Sequence, residues 1–271
     1  MICFPNAKIN LGLNIVGERE DGYHNLETIF YPLQLCDVLE IVPSKGENQL
    51  HISGLPIQGD VKNNLVWKAL HLVSQKEGLP SMDIYLHKVI PMGAGLGGGS
   101  SDATSMLKLL NDFCGGKILK EELSNDATSL GADCNFFLHN VPVFAYGIGD
   151  KIEPIALSLK GMHLLLVKPP LEVSTREAYA NISSKKRDFP LKEIVSLPIQ
   201  EWKKYIFNDF EENVFPLYPQ IKEIKNELYR IGALYASMSG SGSSVFGIFE
   251  KMPEDMGKFT DCFLWREELK Y

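Results

Sequence analysis

The sequence predicts an α+β protein of two domains, and three observations carry that reading. Runs of alternating apolar and polar residues dominate the N-terminal part. Amphipathic stretches of helical period, closed by glycine, come later. The second half follows a β-α-β-β-α-β-like order, which suits a ferredoxin-like domain. At 271 residues the chain is long enough to bury a good core and to hold two domains. A boundary is expected soon after the Gly147-x-Gly149-Asp150 turn, near Pro154–Gly161, dividing the chain into 1–155 and 156–271.

The first strand is Ala7–Val16, where Ile9, Leu11, Leu13 and Ile15 alternate with Lys8, Asn10, Gly12 and Asn14. A half-solvated edge strand would explain the polar side. Asparagine is depleted in strands, however, and a functional polar face is the reading preferred. Asp21-Gly22 marks a turn, and Tyr23 and His24 beyond it could stack on and hydrogen-bond a flat ligand, or simply pack. Thr28–Leu35, Val38–Pro43 and Gln49–Ser53 read as strands. Asn64–Glu77 reads as a helix through Leu65, Val66, Ala69, Leu70 and Val73, with Asn63 as its cap and Gly78 as its stop. Met82–Ile90 alternates as a strand. Ala103, Met106, Leu107, Leu110 and Phe113 fall at helical spacing.

Between that strand and that helix lies Pro91-Met92-Gly93-Ala94-Gly95-Leu96-Gly97-Gly98-Gly99-Ser100-Ser101. Glycine in ordered structure costs ~0.5–1 kcal/mol relative to alanine, so such density needs a reason. A linker fails as the reason, because both flanks are patterned. A helix start with no Cβ atoms in the way is an anion site, and Ser100 or Ser101 could cap the helix, donate to phosphate or hold a metal. Gly93-x-Gly95-x-x-Gly98 satisfies a dinucleotide fingerprint, but the helical stretch Lys120–Leu130 follows where a strand is needed. A phosphate loop of the Gly-Lys-Ser/Thr kind lacks its lysine here, and the protein-kinase motifs H-R-D and D-F-G are absent.

Further on, Asp133 enters the apolar run Cys134–Leu138, where it needs a cationic partner; Lys8 is the candidate, against the plainer reading of a helix cap. Pro142–Tyr146 and Met162–Val167 read as strands. Ser174-Thr175-Arg176-Glu177 is a capping box opening a helix that carries Tyr179. Ser183–Asp188 reads as an exposed basic loop. Pro219–Ile231 is amphipathic. A second Gly/Ser stretch, Ser239–Ser244, lies between two strands, and a short helix and Cys262–Trp265 end the pattern.

The net charge of −7, with no basic run, argues against nucleic acid as a partner. Five cysteines, odd in number and without metal spacing, read as reduced thiols. No basic n-region with an apolar core opens the chain and no apolar run could span a bilayer, so a cytoplasmic location with no membrane partner is expected.

Taken in order, P-N-A-K-I-N-L at Pro5–Leu11, D-G-Y-H at Asp21–His24, the run Pro91–Ser101, G-A-D at Gly131–Asp133 and M-S-G-S-G-S-S-V-F at Met238–Phe246 resemble the motifs of the GHMP kinase superfamily. D-G-Y-H is similar to the signature of those members that act on a cytidyl-diphosphate sugar alcohol in non-mevalonate isoprenoid synthesis. The resemblance implies a ribosomal protein S5 domain 2-like N-terminal domain, a ferredoxin-like C-terminal domain, and an active site in the cleft. It implies that ATP, with Mg²⁺, phosphorylates the 2-hydroxyl of a methylerythritol moiety. Asp133 would take the hydroxyl proton with Lys8 as its partner. Pro91–Ser101 would hold ATP, with Asn64 and Lys88 as nucleotide neighbours. Tyr23 and His24 would contact cytosine, Tyr179 would close the other side of the base, and Asn10 joins these substrate contacts. Another GHMP small-molecule kinase, and a dinucleotide-dependent oxidoreductase using Gly93, Gly95 and Gly98, stand as alternatives. Asn135 departs from the proline often found after G-A-D, which would loosen that turn, and Ser244 replaces a frequent threonine. Asp102 would point away from phosphate or toward a metal.

Overall fold

The computed structural model describes the chain apart from residues 21, 23, 58, 181, 183, 185, 186, 188, 189 and 255–257 and the side chain of residue 194. It opens with β1 (Ile2–Cys3) and two long strands, β2 (Asn6–Glu18) and β3 (His24–Cys36). Then come β4 (Val38–Pro43), β5 (Gln49–Gly54), a 3-10 turn over Val61–Asn63 and helix α1 (Leu65–Glu77). Strand β6 (Met82–Lys88) enters the glycine stretch, and α2 (Gly98–Phe113), α3 (Lys120–Leu130) and α4 (Cys134–His139) follow it. The hairpin of β7 (Val143–Gly147) and β8 (Lys151–Pro154) precedes β9 (His163–Lys168). Five helices come next: α5 (Thr175–Tyr179), α6 (Leu191–Ile194), α7 (Ile199–Tyr205), α8 (Glu211–Leu217) and α9 (Pro219–Arg230). Strands β10 (Tyr235–Met238), β11 (Val245–Phe249) and β12 (Phe263–Glu268) end the chain.

The backbone gathers into two compact units. One comprises Met1–Lys8, Leu33–Met92 and Gly97–Asn140; the other comprises Ile9–Pro32, Gly93–Leu96 and Val141–Tyr271. A cut near residue 155 follows the order of the motifs along the chain, whereas the compact units follow strand pairing. Sheet β2-β3-β7-β8 joins early strands to later ones.

The first unit is built on the sheet β1-β4-β6-β5, in which β5 runs parallel to β6 and the other neighbours are antiparallel. Alternation puts Met82, Ile84, Leu86 and Lys88 of β6 on the buried side. Leu39, Ile41, Ile84 and Leu86 form a core with Val66, Leu70 and Val73 of α1 and Met106, Leu107 and Leu110 of α2. The cap of α1 is Asn64, whose side chain accepts from Val66 N at 2.9 Å, and not Asn63, which ends the 3-10 turn. Gly78 closes the helix in the left-handed region at φ 60°.

In the second unit the sheet β10-β11-β9-β12 is antiparallel throughout. Counted from β9, the order is second, third, first, fourth, which is the ferredoxin-like arrangement the sequence predicts. One core joins Leu13, Ile15 and Leu26 to Leu165, Val167, Phe210, Val214, Ile221, Leu228 and Val245. Strand β2 is buried on both faces from Ala7 to Ile15, so a half-solvated edge is excluded. The capping box at Ser174 and Glu177 is present. Helices α6 to α8 and strand β8 lack the periodicity that would announce them. The expected basic loop Ser183–Asp188 falls largely outside the described residues.

Candidate active site

Lys8 and Asp133 are far apart in sequence and meet in the first unit. Lys8 Nζ lies 3.2 Å from Asp133 Oδ2, with the lysine side chain 4% exposed and the aspartate 32%. The lysine is carried by a strand sealed on both faces. The aspartate stands at the N-cap position of α4 with φ −74° and ψ −14°, and its side chain makes no cap hydrogen bond. The carboxylate is therefore turned to Lys8 and, in part, to solvent, which is the disposition a proton acceptor needs.

The turn that presents Asp133 is held from three sides. Cys134 N donates to Gly131 O at 3.1 Å. Thr104 Oγ1, fully buried in α2, donates to Cys134 O at 2.9 Å, and Lys108 Nζ donates to Phe137 O at 2.7 Å. Asn135 does not loosen this turn: its Oδ1 accepts the Ser124 hydroxyl at 2.9 Å, tying it to α3. Burial pushes the Cys134 thiol up to about 11, against the Ser100 and Thr104 hydroxyls that favour its thiolate. It is a packed thiol and no nucleophile.

Gly97 is the N-cap of α2, at φ 69° and without a side-chain cap. A Cβ there would lie 3.0 Å from Phe137 Cζ and 3.1 Å from both Cγ and Cε of Lys8. The start of the helix and the Lys8–Asp133 pair are thus neighbours. The first amides of a helix have no partner within it, and a sixteen-residue helix adds its dipole. An oxyanion held there would lie beside an ion pair able to prime a hydroxyl.

The stretch divides into supports and open positions. Pro91, Ala94, Leu96, Gly98 and Ser101 are buried; Met92 and Gly93 are exposed; Gly95, Gly97, Gly99 and Ser100 are intermediate. Several expectations are corrected here. Ser100 and Ser101 sit inside the helix rather than capping it, and Ser101, 1% exposed, is part of the core. Lys88 is 1% exposed and bonded to Asp37 and Asp102, so its ammonium is committed to the interior and not to a nucleotide. Asp102 points at Lys88, away from the open side of the stretch. Asn64 Oδ1 caps α1, a bond that does not exclude the expected nucleotide contact.

In the second unit, the Ser239–Ser244 turn packs on the middle of the glycine stretch. Ser239 Oγ donates to Gly95 O at 2.8 Å and accepts from Asn10 N at 3.2 Å; Ser244 N donates to Ala94 O at 3.2 Å. A Cβ on Gly95 would come within 1.9 Å of Ser239 O, so only glycine fits. Asn208 Nδ2 donates to both Met238 O and Gly240 O at 2.8 Å, and Glu211 Oε1 accepts from Met238 N at 2.9 Å. The Asn10 side chain donates to Thr28 Oγ1 at 2.9 Å, which in turn donates to Gly12 O at 2.6 Å. His24 and Tyr179 come together, ring centroids 5.3 Å apart and tilted by 32°, and Tyr179 packs edge-on against Phe210 at 4.6 Å. Tyr23 lies outside the described residues.

Sequence reasoning missed Asp37, Thr104, Asn208, Glu211 and the role of Ser239. Asp37 had one weak signal, a lone acid between two apolar strands. The others carry none, because their contacts are long-range.

A glycine-lined helix start beside a lysine–aspartate pair, on an α+β scaffold with a ferredoxin-like sheet, defines a small-molecule kinase of the GHMP class. Residues 64–147 match the model of the GHMP kinases N terminal domain, and residues 191–255 that of the GHMP kinases C terminal domain. The chain is 56% identical to the 4-diphosphocytidyl-2-C-methyl-D-erythritol kinase of Bacteroides fragilis, covering 100% of both chains. It is 54% identical to the protein of that name in Parabacteroides distasonis, over 99% of this chain and 100% of the relative. A crystal structure of 4-(cytidine 5'-diphospho)-2C-methyl-D-erythritol kinase superposes with a TM-score of 0.76 at 34% identity, covering 92% of this chain and 90% of that one. The chain belongs to the 4-diphosphocytidyl-2-C-methyl-D-erythritol kinase family of GHMP kinases.

Proposed function

We propose that this protein transfers the γ-phosphoryl group of ATP to the 2-hydroxyl of 4-diphosphocytidyl-2-C-methyl-D-erythritol, yielding the 2-phosphate and ADP. The observation that carries the proposal is the Lys8–Asp133 pair set against Gly97 at the start of α2. Phosphoryl transfer asks for positioning, charge neutralisation and an acceptor for the hydroxyl proton. The open positions of the glycine stretch and the first amides of α2 would hold the phosphates. Asp133 would accept the proton as the oxygen attacks phosphorus and the bond to the β-phosphate oxygen breaks. Lys8 would orient Asp133 and balance the charge gathering there. His24 and Tyr179, with Tyr23 from the same motif, would receive the cytosine ring, and Asn10 would hold the substrate end of β2.

Mg²⁺ belongs to the proposal. Among the described residues no cluster of three or more acidic, histidine or cysteine side chains could hold a metal. Mg²⁺ takes most of its ligands from water and substrate phosphates, so one protein oxygen suffices, and the half-buried Ser100 hydroxyl in the first turn of α2 fits that share. When bound, the ion would neutralise phosphate charge. The functional division into residues 1–155, carrying the ATP loop and the catalytic pair, and 156–271 is part of the same reading. So is a cytoplasmic location, argued from five cysteines that are all free thiols.

Incubation with ATP, Mg²⁺ and the cytidyl substrate, followed by mass spectrometry and phosphorus NMR, tests this directly. The expected product gains one phosphoryl group at the 2-position. ADP release with other alcohols and none with this one would overturn the proposal.

A further inference from the structure

We propose that Asp37, Lys88 and Asp102 act as a clasp that positions the glycine stretch to receive the nucleotide's phosphates. The three residues belong to the first unit and are 0%, 1% and 2% exposed, so none touches a ligand. Lys88 ends β6, just ahead of Pro91, and Asp102 lies in α2, just past Gly97. Lys88 Nζ donates to Asp102 Oδ2 at 2.7 Å and also to Asp37. One ammonium thus ties the chain entering the stretch to the helix leaving it. Asp37 Oδ1 accepts from Val89 N at 2.6 Å and Ile90 N at 2.8 Å, the two amides that immediately precede Pro91. Entry and exit also touch directly: a Cβ on Gly98 would lie 2.9 Å from Ile90 Cγ2 and 3.4 Å from Lys88 Nζ.

The chemistry of the cluster argues for placement over stability. Two carboxyl groups share one cation in a dry site, and Asp102 Oδ1 is buried with no hydrogen-bond partner. Burial pushes the Asp102 carboxyl above the usual carboxylate range, with Lys88 opposing. Apolar side chains of similar volume often serve stability as well as a buried ion pair, or better. They would not supply a directed grip on Val89, Ile90 and α2 at once. With both ends of the stretch held, its amides keep their directions before a ligand arrives, and binding then costs less ordering. Lys88, Asp37 and Asp102 are positioning residues.

The inference rests on the proposed ATP-dependent reaction, and calorimetric titration of ATP into the intact protein separates the two. No ATP binding by the wild-type protein would defeat the reaction itself. Given wild-type binding, Asp37→Asn/Lys88→Met/Asp102→Leu removes the shared cation together with both carboxylates, so no buried charge is left unpaired. It is expected to keep its melting temperature and its KM for the cytidyl substrate, while ATP binds about tenfold or more weakly. A triple variant that binds ATP as tightly as wild type overturns the proposal. Asp102→Asn, which keeps an acceptor for Lys88, provides the second reading should the triple variant fail to fold. Its ATP affinity is expected within about threefold of wild type. A loss there as large as about tenfold would assign the effect to charge rather than grip, and would equally overturn the clasp.

Discussion

In the proposed reaction the chemistry turns on Asp133. Its backbone occupies a cap position, yet its side chain leaves the helix amides alone and faces Lys8. Asp133→Asn is nearly isosteric and cannot accept a proton. The variant should bind ATP normally while single-turnover phosphate transfer falls by about 10²–10⁴. Near-normal turnover would remove Asp133 from its role. Gly97 makes a different demand. Alanine there would adopt φ 69° and press on Lys8 and Phe137. The left-handed conformation alone costs about 1–2 kcal/mol. Gly97→Ala should lower both the melting temperature and kcat, since the displaced group is the Lys8 stem itself. In the proposed reaction Tyr179 would meet the base of the substrate. Tyr179→Leu should raise KM for the cytidyl substrate about tenfold, the worth of one aromatic contact, and leave ATP affinity unchanged.

At the scale of elements, the part of the glycine stretch in the second unit is tied to the Ser239–Ser244 turn through Ala94 O and Gly95 O. The turn Ser239–Ser244 owes its shape to Asn208, which bridges Met238 O and Gly240 O from a fully enclosed position. Removing that side chain strands two buried carbonyls, at about 1–3 kcal/mol for each group left unsatisfied. Asn208→Ala should therefore lose stability and weaken ATP binding together, with faster amide hydrogen exchange at Ala94 and Gly95 as the reporter. Unchanged exchange there would separate the turn from the stretch. In the first unit, Thr104 of α2 fixes the turn bearing Asp133, so the helix whose first amides would hold phosphate also places the proposed base.

For the whole molecule, the test is ligand linkage. A ligand that binds only the folded state stabilises it by about 2.7 kcal/mol at a hundredfold excess over Kd. ATP with Mg²⁺ should raise the melting temperature, and the nicotinamide dinucleotides should not. The fold already disfavours them, because α3 and α4, rather than a strand, follow the glycine helix. A shift with a nicotinamide cofactor and none with ATP would reverse the assignment.

Periodicity and motif order were enough to read most of the scaffold: the strands β2 to β6, the helices α1, α2 and α9, and the two loops of small residues. These are local features, set by side-chain alternation and by glycine's freedom at positive φ. The Lys8–Asp133 pair was legible for a related reason, since a carboxylate entering an apolar run needs a cation and a lysine on a polar strand face can supply one. What packing decided was which charge goes where. Lys88 looks like a nucleotide contact beside the glycine stretch, yet its place on the inward face of β6 delivers it to Asp37 and Asp102. The strands β2 and β3 join the later half of the chain through sheet pairing. Asn208 grips a turn some thirty residues away. Such contacts leave no periodic trace, because they depend on which distant backbone groups a fold brings within hydrogen-bonding distance, and only the assembled chain fixes that.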